Sequence, residues 1–90
     1  MPIKINGTNT AANPSITGDD TDTGIVYGSD QIDFSTGGSS KVTLKNSNLG
    51  IGTTSPSSLF HVNSGTTNTC ATFESSDAGA VLNITDNSAR

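Results

Sequence analysis

Apolar residues in this chain come in short bursts set among polar ones, and no burst keeps the spacing of a helix face. Ile32 and Phe34 are two positions apart, as are Val42 and Leu44, and Leu82 and Ile84. Each pair therefore falls on one side of an extended strand. The β-prone runs 24–27, 31–34, 41–45, 49–52, 59–62, 69–74 and 80–85 each predict a strand offering about two apolar side chains. The separators at 28–30, 35–40, 46–48, 53–58, 63–68 and 75–79 are rich in turn formers and have hairpin length. Residues 3–6 predict a further short strand. The stretch 7–22 has no periodicity and is broken at Asn13-Pro14 and Gly18-Asp19, so it reads as an extended arm with one short strand around Ile16. Runs 34–44 and 62–73 share a plan of strand, glycine-containing loop and strand, without the fixed period of a solenoid. The expected fold class is all-β.

Composition sharpens this picture. Ninety residues allow one small domain, and only eighteen of them are Leu, Ile, Val or Phe. Such a supply is thin for a closed core, so the chain is either partly disordered or completes its core with neighbouring copies. Ser, Thr, Asn and Gly make up 46 residues, yet charged residues are only 13% and Thr, Ile and Val number 25. That mixture suits strands and tight turns better than disorder, which favours high net charge.

Several function classes find no support in the residues. The four basic residues are scattered, against a nucleic-acid partner. No run approaches the ~18 apolar residues of a membrane span, and the first five residues carry no secretion-signal pattern. Serines are plentiful, but none lies in a Gly-x-Ser-x-Gly elbow, and His61 is the single histidine. No carboxylate pair is flanked by aromatic residues that would hold a sugar. The expectation is a structural protein, not an enzyme, with no cofactor and no resident metal.

Three features have a sharp and a bland interpretation. Asp20 and Asp22 have the start of a calcium loop, but Gly24 occupies the third ligand position and Gln31 the closing one. A turn in which Asp side chains accept their own backbone N–H groups suits these residues better. His61 could form a metal ring only with other copies across a three-fold axis, and is more simply a packed or surface strand residue. Cys70, the one cysteine, excludes an internal disulfide framework and reads as a small buried hydrophobe.

The densest signal is Leu49-Gly50-Ile51-Gly52-Thr53-Thr54-Ser55-Pro56, followed by Leu59-Phe60-His61-Val62. In a strand, Gly50 and Gly52 leave one face bare, so another backbone can approach closely while Ile51 points the other way. A glycine-rich hairpin of any β domain would give the same pattern. The stretch also resembles a motif of bacteriophage tail-fibre and tail-spike proteins: an apolar residue, Gly-Ile-Gly-Thr, a Pro, and a closing Leu-His-Val, here with Phe60 in place of Leu. The upstream runs 22–27 and 30–38 resemble what precedes that motif in fibres of marine phages, and the likeness covers roughly residues 13–62.

The resemblance implies an elongated, intertwined homotrimeric β fibre on a virus particle, used in host adhesion. It implies an arm at 1–22 that attaches to other virion proteins of tail or capsid, with Ile3, Ile5 and Ile16 as docking anchors. A β-rich fibre shaft segment would follow over 23–90, with Gly50, Ile51 and Gly52 at the close packing between chains. Tail fibres are usually much longer, and no receptor-binding tip or self-cleaving chaperone domain is present before Arg90. The expectation is therefore the amino-terminal piece of a fibre or a naturally short one, with any host receptor met through other parts. A short capsid fibre or decoration protein, and the non-catalytic base of a polysaccharide-degrading tail spike, are the alternatives.

Overall fold

The computed structural model describes residues 2–88, and its regular structure is seven strands: β1 (Lys4–Ile5), β2 (Ile16–Thr17), β3 (Gly24–Gly28), β4 (Gln31–Thr36), β5 (Ser39–Lys45), β6 (Asn48–Ile51) and β7 (Phe60–Val62). They form one sheet in which spatial order follows chain order from β1 to β7. The protein is all-β, as its alternation predicts. Met1 of the arm, and Ala89 and Arg90 at the far end, lie outside the described residues.

Turn chemistry sets the register of the central strands. Gly37 and Gly38 take φ +58° and +79°, and Asn46 and Ser47 take +51° and +75°. Two consecutive left-handed residues twist a two-residue turn to match the right-handed twist of the strands it joins. The loop expected at 35–40 therefore shrinks to Gly37-Gly38, and β4 and β5 run further than their apolar residues suggest. Phe34 faces Val42 while Ser35 faces Ser40, which leaves Lys41 as the extra residue of a bulge.

All neighbouring strands are antiparallel except the last pair. β6 and β7 run parallel, so the segment between them is a crossover and not the hairpin loop expected at 53–58. Both short strands of the arm are present, and they pair with each other and with β3.

The strands expected at 69–74 and 80–85 do not form, nor does the second half of the shared strand-loop-strand plan. A strand needs a partner for its backbone groups. The edge open to this segment is the three-residue β7, and the chain turns away from it: Thr67 N–H donates to Ser64 O at 3.2 Å and Ser64 Oγ to Thr67 O at 2.6 Å. Phe73, Val81, Leu82 and Ile84 are consequently exposed.

Candidate interaction surface

Residues directly opposite one another on paired strands share a face of the sheet. Following the pairs from strand to strand gives one row crossing all seven: Ile5, Ile16, Ile25, Phe34, Val42, Ile51, Val62. A second row on the same face runs Tyr27, Ile32, Leu44, Leu49, Phe60. Every one of these twelve residues is apolar or aromatic, and none carries a charge. The opposite face reads Val26, Asp33, Thr43, Gly50, His61 in its middle row and Lys4, Thr17, Gly24, Ser35, Ser40 beside it.

A single antiparallel sheet normally buries its apolar side and leaves its polar side to water. Here the chain does the reverse. Among the described residues no large apolar side chain is buried, whereas Thr17, Asp33, Ser35 and Thr43 on the polar face are. The cover is local. Asn6 Nδ2 of the arm donates to Thr17 Oγ1 at 3.0 Å and to Pro14 O at 3.1 Å, and Pro14 is itself fully buried. Asp33 accepts from Gln31 Nε2 at 3.1 Å and from Ser40 Oγ at 3.0 Å. Ser35 Oγ and Thr43 Oγ1 are buried there without a hydrogen-bond partner.

The glycine motif explains how the crossover fits. A side chain at Gly50 would lie 2.6 Å from Thr53 O and 3.3 Å from Pro56 Cβ, because the crossover lies directly over that position. Asn48 Nδ2 ties the loop down by donating to Pro56 O at 3.2 Å. Gly52 sits just past β6 with φ +78°, and a side chain there would collide with the backbone carbonyl of Asn63. The backbone that approaches these glycines closely is thus the chain's own. Ile51 points to the other face, in the apolar row. A scan of protein-family models, a search of curated proteins and a search of solved structures each return no match for this chain.

The residues expected to be docking anchors fall in different places. Ile5 and Ile16 begin the apolar row, Ile5 largely exposed and Ile16 half-buried, and Ile3 precedes β1 and is 80% exposed. Sequence reasoning found the apolar pairs on single strands but missed their union into two unbroken rows. The paired positive-φ turns that fix the register are the signal that would have joined them.

The remaining candidates are local structure. Asp20 caps its own turn, with its Oδ2 accepting from Thr23 Oγ1 at 2.9 Å. The shared hydrogen bond between Asp20 and Asp22 holds Asp20 below the usual carboxylate range and pushes Asp22 above it. Among the described residues no three His, Cys, Asp or Glu side chains gather as a metal site would need. His61 lies half-buried on β7, where its Nδ1 accepts from Ser57 N–H at 3.1 Å. Cys70 is exposed and not buried as expected, because the strand that would have carried it inward is not formed; its Sγ lies 3.6 Å from Val62 O. The described residues contain no helix long and apolar enough to cross a membrane.

Proposed function

We propose that this chain is a structural virion component, the amino-terminal attachment and shaft part of a trimeric bacteriophage tail fibre used in host adhesion. The observation that carries the proposal is the sheet whose two apolar rows hold no buried large side chain while its polar side is covered at Thr17, Asp33, Ser35 and Thr43. Such a chain is half of a core, and other copies would supply the rest. The glycine-rich crossover is the segment that resembles phage fibres, and its geometry gives Gly50, Gly52 and Pro56 a packing reason. In this function the arm docks on the particle, and three copies of residues 23–90 form the shaft, elongated and intertwined. No catalytic step is assigned to any residue.

The test is imaging of intact particles labelled at this protein. Label at the tail is the expected result. Label on the capsid would replace the tail fibre with a short capsid fibre or decoration protein, and particles free of the protein would end the virion assignment altogether.

A further inference from the structure

We infer that the apolar side of the sheet is the contact surface between copies, and that each copy's face is covered by the same face of its neighbours. The inference rests on the proposal that this chain assembles with itself, and it names the surface through which assembly occurs. It also moves the contact away from the bare side of Gly50 and Gly52. Those positions are filled by Thr53, Pro56 and Asn63 of the same chain.

Three observations select another copy as the occupant. The first is continuity. The two rows form one continuous apolar surface across the sheet, whereas the exposed apolar residues of an ordinary monomer are scattered singly. Tyr27, Phe34, Leu44 and Phe60 are between 43% and 59% exposed, far from what a core position shows.

The second is charge. The protein carries a net charge of −4, so two copies repel through most of their surface. None of its carboxylates belongs to the two rows: Asp33 lies on the opposite face, and the others lie in loops, turns or the segment after β7. The two rows are where copies of like charge meet without an ionic penalty, and the charged groups nearest them, Asp30 and Lys45, stand at the turn end of the face.

The third is backbone accounting. A single strand laid across this face would bury its own N–H and C=O groups without partners. A whole sheet arrives with those groups already paired, and two sheets pack about 10 Å apart through interdigitating side chains. The row of Tyr27, Ile32 and Leu44 opens toward the turns into a groove of about 460 Å³, bordered by Asp30, Lys45, Asn46 and Asn48, which gives a partner's side chains somewhere to insert.

The experiment uses the full chain with its Ile, Leu and Val methyl groups isotopically labelled. A soluble paramagnetic chelate is added, and the relaxation enhancement of each methyl is read while sedimentation equilibrium reports the assembly state. Methyls of Ile25, Ile32, Leu44 and Ile51 should show several-fold smaller enhancement than those of Val81 and Ile84. Equal enhancement in an assembled protein would overturn the inference and leave self-assembly standing. A folded monomer would overturn both.

A pair of variants reads the same face independently. Leu44→Asp should raise the dissociation concentration at least tenfold, whereas Val81→Asp in the exposed segment should leave it unchanged. Assembly of Leu44→Asp at wild-type concentrations would also overturn the inference. If Leu44→Asp fails to fold, the methyl measurement on the unaltered chain decides the matter alone.

Discussion

Gly52 and Gly37 both take positive φ, yet only one of them is closely approached. Gly52 has the Asn63 carbonyl where a side chain would go, whereas nothing lies within 4 Å of that position at Gly37. Gly52→Val should destabilise the fold by at least about 2 kcal/mol, combining left-handed strain with overpacking against backbone. Gly37→Asn should melt close to the wild type, since Asn tolerates that conformation. Denaturant titration of both variants checks the contrast, and equal stability would show that the crossover can move. Thr43 makes the opposite case. Its hydroxyl is buried with no partner, so Thr43→Val removes a desolvation cost and should stabilise by about 1 kcal/mol, some 4–8 °C in Tm for a domain of this size. A fall in Tm would mean that the hydroxyl is hydrogen-bonded in solution. The Asp20–Asp22 pair yields a titration order: as pH falls, Asp22, whose pKa is raised, should take up its proton before Asp20, whose pKa is lowered. Carboxyl-carbon chemical shifts read each site separately, and the reverse order would show that the two groups do not share a hydrogen bond.

At the scale of elements, local alternation was a sound guide wherever a partner strand lies next in sequence. It placed β1 and β3 to β7, because turns such as Gly37-Gly38 bring most strands back onto their predecessors, whereas β2 was visible only as Ile16 in a stretch without periodicity. It failed at 69–74 and 80–85, whose alternation is as good as that of β5 but whose backbone groups find no neighbour within the chain. Alternation reports which side chains suit a strand; hydrogen-bond partners decide whether one forms. The contact surface was half legible for a related reason. Pairs such as Ile32 and Phe34 are visible in the sequence, but the rows exist only once register is set. Removing residues 1–22 takes away β1 and β2, two-residue strands at one end of the sheet. Under the proposed function, the shortened chain should keep its β-sheet circular dichroism signal while losing incorporation into particles. Purified particles probed for the protein would show this, and normal incorporation would place attachment in the shaft.

At the scale of the molecule, the chain does not close on itself. Its radius of gyration is 16.8 Å, against roughly 12 Å for a compact domain of this length. Its principal extents of 53 × 33 × 26 Å describe a plate with a trailing segment. Under the proposed assembly through the open face of that plate, stability and association become one equilibrium. Sedimentation equilibrium at micromolar concentration should report three chains, and Tm should rise with protein concentration. A concentration-independent Tm with one chain per particle would end the case for assembly.

The order of the sheet carries a consequence for descent. Because each strand lies beside the next one in sequence, a duplicated hairpin inserted between two strands would extend the plate without rerouting any connection. Each added strand would contribute one residue to each apolar row and a turn at the rim, and under the proposed assembly the neighbouring copies would lengthen in step because they derive from the same gene. A molecule built this way can change its length by tandem duplication while keeping its cross-section, so length should be the property that diverges fastest among its descendants.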